Sequence, residues 1–281
     1  MKKWLTPIRI LLLLLLILCL GAIISWKGWD NLETWIIASR NILLISGASS
    51  LVHYGLLLTK RIKPTRWEHR AITNLILFLL FDPLLPWYAF VIIGGVTELA
   101  QRLIRLPTGP VFNPAALGVL LVSFFGFLPG WWGMSFAPRL DVIEWGMSIS
   151  MLFVLPIAGY IVSRYRKLTL AISATIFFAI TYLAILQYNP LFILLEGTWA
   201  FFILVMAVEP KTSPAMLSRQ IMYGAIIGIL AVVGLRFGLF DAFVFALLVA
   251  NGLHQLDRWL TLKRQRAAVV AQTSSEAGAQ T

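Results

Sequence analysis

The sequence predicts an all-α integral membrane protein of about ten transmembrane helices, arranged as two inverted five-helix repeats with broken helices. Three observations carry that expectation. Of 281 residues, 59% are hydrophobic and 12% charged, and mean hydropathy is +0.86, well beyond a soluble domain. The apolar residues fall in ten runs. An acid–proline break occurs twice, in FDPLLP at 81–86 and VEPKTSP at 208–214, each followed by a second matched stretch, NPAALGVLL from 113 and DAFVFALLV from 241. Asp82 and Glu209 are 127 residues apart and Asn113 and Asp241 128, so the chain reads as duplicated. Non-helical backbone at membrane depth needs protein or a wet cavity around it, so paired breaks point to a site.

The runs are 8–25, 36–58, 71–85, 87–103, 111–128, 146–163, 168–187, 191–208, 219–235 and 238–254. Several fall short of the roughly 20 residues a comfortable span needs, which implies tilted or broken helices. The first follows Lys2 and Lys3 like a signal peptide, but Gly21-Ala22-Ile23 is a poor cleavage site and the run continues to Trp26, so it reads as a span. Its Cys19 is the single cysteine, which excludes an intrachain disulfide or a cysteine metal cluster and reads as packing. The second run holds Ser46-Gly47-Ala48-Ser49, small residues suited to close helix contact. It also holds His53, which lacks a second ligand at helical spacing and reads as a hydrogen-bonded structural residue. The units are 1–128, a first five-helix repeat, 129–257, the second, and 258–281, a basic and then small, polar tail expected to be disordered.

With the N-terminus inside, the cytoplasmic loops hold 19 of the 23 basic residues and leave Lys27, Arg40, Arg139 and Arg236 outside. That bias places both termini in the cytoplasm of a multi-pass protein of the cell (inner) membrane. It also accounts for the net charge of +11 through lipid headgroups, and no aromatic-interleaved motif suggests nucleic acid. Trp26, Trp87, Trp131, Trp132, Trp145 and Trp259 near run ends read as interfacial anchors.

Five runs per half oblige the second half to enter the membrane upside down relative to the first. Glu209 is then expected beside the Asn113 turn on the inner side, and Asp82 beside the Asp241 turn on the outer side. Asn113-Pro114 is good helix-start chemistry, and such an N-terminus either simply caps its helix or also receives an anion. Thr108, Gly109, Asn113, Glu209, Lys211, Thr212 and Ser213 form the candidate cofactor cluster, although Thr212 and Ser213 also suit helix capping and Lys211 suits orientation. Asp82, Asp241, Glu98 and Glu196 are the acids that an ion pathway would use. Pairing with Arg102 or Arg236 is the plainer role for Glu98 and for Asp82 and Asp241. No catalytic or metal-binding residues stand out.

VFNPAALGVLL, together with VEPKTSPAMLSRQIMYGAIIGILAVVGLRFGLFDAFVFALLVANGLHQLDR, resembles the NqrB/RnfD family, the ten-helix subunits of the sodium-pumping NADH:quinone reductase and the Rnf ferredoxin complex. The ordered features are the acid–Pro turn with Thr212, Ser213 and Pro214, then Tyr223-Gly224, Gly228, Arg236, Phe245-Ala246-Leu247-Leu248, Asn251 and Asp257-Arg258. The resemblance implies a membrane redox subunit that holds flavin and passes electrons between partner subunits, coupled in some complexes to ion movement. Family members carry FMN on the threonine of a Ser-Gly-Ala-Thr sequence in a loop beyond the FNPA segment. Here that loop, FLPGWWGMSFAPRLDVIEW, lacks it, so the flavin expected is non-covalent FMN or riboflavin. Glu209 stands where the family's turn acid is usually Asp, and His254-Gln255 where a proline is common.

Without a Gly-rich dinucleotide fingerprint or a cysteine cluster, the chain alone cannot take electrons from NADH; its partners would be membrane lipid and other redox subunits. The alternative is a small-solute or ion channel or transporter of the same architecture without a redox role.

Overall fold

The computed structural model describes residues 6–27, 30–59, 62, 66–106, 109–135, 139–140, 147–239 and 241–279. Among these, every apolar run is helical. The first half contributes α1 (Pro7–Lys27), α2 (Leu32–Leu58), α3 (Trp67–Leu80), α4 (Trp87–Leu103) and α5 (Pro114–Ser123). The second contributes α6 (Met151–Arg164), α7 (Leu168–Leu186), α8 (Leu191–Glu196), α9 (Thr198–Ala207), α10 (Leu217–Arg236) and α11 (Ala242–Ala279). Four helices are long and apolar enough to cross a membrane: α1 over Pro7–Trp26, α2, α7 and α10. The outward faces of α2 and α7 carry Leu43, Leu51, Ile180 and Leu183, all more than half exposed, as a lipid-facing surface would.

Irregularities have local causes. Pro156 lacks an N–H, and α6 widens to a π-turn over Val154–Ala158 around it. The eighth apolar run is split in two by Gly197, whose φ of +101° suits only glycine and whose missing Cβ would meet Ser150 Oγ at 2.8 Å.

The halves repeat one packing scheme. In the first, α2 lies along α4 and α4 meets α5; in the second, α7 lies along α10 and α10 meets α11. Lipid is as apolar as leucine, so in a bilayer such contacts would depend on close approach rather than on expulsion of water. Gly224 and Gly228, one turn apart on α10, let the α7 backbone in so closely that a Cβ would stand 2.7 Å from Leu170 O or 2.5 Å from Ala174 O. In the first half Gly94 of α4 presses on the Ile45 carbonyl of α2 in the same manner. The small-residue string at 46–49 is thus adjacent to the tight contact; Gly47 itself has open space around it.

Helices α3 and α9 are too short to cross a bilayer, and both end inside protein, with Phe81 fully buried beyond α3 and Ala207 and Val208 buried at the end of α9. Helix α5 meets α11.

Two expectations are corrected. Trp131 and Trp132 are buried, not interfacial: their indoles donate to Asp241 and to the Phe78 carbonyl. An indole N–H needs an acceptor wherever it sits, and here buried acceptors inside the fold supply one. The tail is helical through Ala279, because after Gly252 no glycine or proline interrupts the chain until Gly278 and helix formers dominate 258–271. Trp87 and Trp259 are exposed as anchors should be. Trp145, Lys2, Lys3, Lys60, Arg61 and Lys63 lie outside the described residues.

Candidate functional site

The breaks meet across the halves. Asn113 caps α5, its Oδ1 accepting from Ala116 N at 3.1 Å, with Pro114 in the first turn where its missing N–H is not needed. The amide nitrogen then donates across the halves to Met206 O and to Glu209 Oε2, both at 3.0 Å. Glu209 also accepts from Thr212 Oγ1 at 3.3 Å, while Ser213 Oγ donates to the Glu209 carbonyl at 2.8 Å. Asn251 of α11 completes the join: with its amide oriented to satisfy both ends, Oδ1 accepts from Asn113 N at 3.0 Å and Nδ2 donates to Thr212 O at 3.2 Å and to the Tyr223 hydroxyl at 2.6 Å. Glu209 stands just beyond the apolar run. Burial pushes its carboxyl up to about 7, against the opposing pull of Lys211 and of the bonds from Thr212 and Asn113.

Lys167, in the turn between α6 and α7, is buried and reaches Ser213 O at 3.1 Å and also Pro214 O. It fastens the loop after Glu209, and burial brings its ammonium down to about 8.

The second join repeats the plan with one substitution. Asp241 caps α11, Oδ1 accepting from Val244 N at 2.9 Å. A carboxylate cannot donate as Asn113 does, so Trp131 provides the donors: its indole gives to Asp241 Oδ2 at 2.8 Å, and its amide, with that of Gly130, gives to Leu80 O at the end of α3 at 2.9 and 2.8 Å. The carboxylate of Asp241 is thereby engaged by Trp131 and Val244 rather than by Arg236. Asp82 is exposed, its Oδ1 accepting from Leu84 N at 2.8 Å, and Asn41 of α2 holds the neighbouring Pro83 carbonyl at 2.9 Å. The Asp82 and Asp241 turns are thus linked through residues 130–131.

On the Asn113 side the two halves enclose a cavity of about 650 Å3. Gly109, Asn113, Glu209 and Lys211 line it, with Ile72, Ile76, Leu204 and Val205 as apolar wall and Arg70, Arg102 and Arg105 as cations. Thr212 and Ser213 do not line it; they are buried behind Glu209, holding the break in shape. Thr108 lies outside the described residues. Lys211 Nζ reaches His69 Nε2 across the halves at 3.3 Å, and both groups titrate below their ordinary values, chiefly through burial.

Glu98 is fully buried and paired: His53 Nδ1 lies 2.9 Å and Arg102 Nε 2.8 Å from Oε1, and Gln101 donates to Oε2. The Arg102 pairing and a buried hydrogen bond at His53 are therefore the arrangement found. Glu196 ends α8, half-buried and away from the cavity lining.

Sequence reasoning did not give Lys167, Trp131, Asn251, Arg70 or Arg105 these positions. The three cations served the orientation count alone, and Asn251 entered only as a mark of family resemblance. No protein-family model matches the chain, and no curated protein matches it.

Proposed function

We propose that the chain is a membrane subunit of an Rnf- or Nqr-like electron transport complex, multi-pass in the cell (inner) membrane with both termini cytoplasmic, and that it holds a flavin non-covalently between its halves. One observation carries the reading: Gly109, Asn113, Glu209 and Lys211, four of the residues that sequence selects for a cofactor, line a single cavity of about 650 Å3, within the range of small-molecule sites. The residues present fit the group. Ile72, Ile76, Leu204 and Val205 provide an apolar wall for the ring, and Lys211 and the arginines provide cations for a phosphate. Bound flavin supplies reversible electron transfer; the protein's own groups position it and keep water from it. The Asn113–Glu209 bond and the Lys167 clamp keep the two walls in register. Donor and acceptor belong to partner subunits.

Acid precipitation of the purified protein tests this. The expected result is a flavin absorption band in the native protein that passes wholly into the supernatant. A band remaining in the pellet contradicts non-covalent attachment. No band in either fraction from freshly isolated membrane-extracted protein contradicts the flavin reading and favours a solute or ion permeation protein on the same frame.

A further inference from the structure

The cavity's cations are unevenly committed. Arg102 is held by Glu98 at 2.8 Å, and Lys211 leans on His69. Arg70 of α3 is different: its guanidinium carbon sits 5.3 Å from the centre of the Tyr54 ring, yet Nε and Nη1 are buried and find no acceptor among the described residues. Buried guanidinium N–H groups without an acceptor are costly and rare in folded proteins. Arg70 lines the cavity, as do Arg105 and Arg258, and Glu209 is the only carboxylate among the described lining residues. A guanidinium has five donors and no acceptor capacity, so what completes it is an anion.

We infer that Arg70 anchors an anion subsite that takes a phosphate monoester, with Arg105 as an outer cation and the ligand's apolar body against Ile72 and Ile76. This deepens the flavin reading by naming which form of ligand the cavity selects, and it rests on that reading only for its first probe. Charge-assisted hydrogen bonds to a phosphate are the strong class and normally change affinity by an order of magnitude or more.

The test uses the full chain in neutral detergent, with FMN and riboflavin, which differ by the phosphate alone, followed by flavin fluorescence. FMN is expected to bind about tenfold or more tighter than riboflavin; Arg70→Gln removes that gap and leaves riboflavin affinity unchanged. Arg70→Gln without ligand is expected to melt at the same or a higher temperature than the parent, because it removes buried donors lacking an acceptor. Should it fail to fold, the parent comparison decides alone, and Arg105→Gln, at an exposed position, must narrow the gap in the same direction.

Phosphatidic acid and inorganic phosphate, used as competitors and as direct ligands by native mass spectrometry, separate the sources. If no flavin binds but phosphatidic acid does, and does so through Arg70, the flavin reading falls while the phosphate subsite stands with a lipid as its ligand. If inorganic phosphate competes with FMN and phosphatidic acid does not, the source is soluble. If FMN and riboflavin bind equally, or Arg70→Gln changes neither, the subsite is overturned and the flavin reading survives; if no phosphate probe binds, the subsite is likewise overturned.

Discussion

Asn113→Asp is expected to destabilise the protein by about 3 kcal/mol, and Glu209→Gln in the same chain to restore most of the loss. The substitution keeps the cap on Ala116 N but replaces the amide donor with a second acceptor facing Met206 O and the Glu209 carboxylate. Two carboxyls within hydrogen-bonding distance, one buried and one half-buried, must share a proton or repel. Gln at 209 returns a donor to the pair with its polarity reversed, which an additive scheme does not predict. The pH dependence follows. A carboxyl raised from an ordinary 4.5 to about 7 contributes stability that is complete below 4.5 and is lost as pH rises through 7. Glu209→Gln alone should flatten that part of the profile, and Asn113→Asp alone should extend the loss to higher pH. Thermal unfolding in detergent from pH 4.5 to 8.5 reads all four chains; equal melting of Asn113→Asp with and without Glu209→Gln would show that the contact has no energetic weight.

Trp131→Phe is expected to cost about 3 kcal/mol, and Asp241→Asn added to it to recover part of that loss. The phenyl ring retains much of the packing against Phe201, Phe202 and Phe243, so the loss reports chiefly the indole donor. Without it the Asp241 carboxylate, buried in the interior, keeps the Val244 amide and loses the bond from Trp131. Asp241→Asn keeps one acceptor for Val244 and removes the charge, but it places an Nδ2 donor where Oδ2 met the indole N–H, so it helps only once that indole is gone. Trp131 also holds φ of +51°, a backbone conformation that a bulky residue adopts only when its surroundings impose it. The bonds of residues 130 and 131 to Leu80 O do so. Urea denaturation of the parent, Trp131→Phe and the double variant makes the comparison, and a double variant no more stable than Trp131→Phe would mean that the buried carboxylate left without its indole donor carries no cost.

The parts legible in the sequence are those fixed by local chemistry. The apolar runs fold as helices, the eighth as two, because run length and hydropathy are local, and the Asn113 cap follows from Asn-Pro alone. The meeting of Asn113 with Glu209 was also legible, since the matched breaks of the two halves were expected to face one another. What was not legible depends on three-dimensional neighbours. Lys167 counts as a loop cation until the 213–214 carbonyls are seen above it. Trp131 reads as an anchor until Asp241, 110 residues away, needs a donor. Thr212 and Ser213 offer the same hydroxyls to a cofactor or to Glu209, and only the fold shows that Glu209 has them. The helical tail shows the limit of composition, which registers polarity but not the absence of helix breakers.

The proposed inversion of the halves is the premise on which the membrane placement of the cavity and of the proposed site rests. Impermeant maleimide labelling of intact cells tests it most directly, with Cys19, itself buried, replaced by serine and a single new cysteine placed at Asp82 or at Lys211. Asp82→Cys is expected to label from outside and Lys211→Cys only after the membrane is permeabilised. Labelling of both from the same side would contradict the inversion.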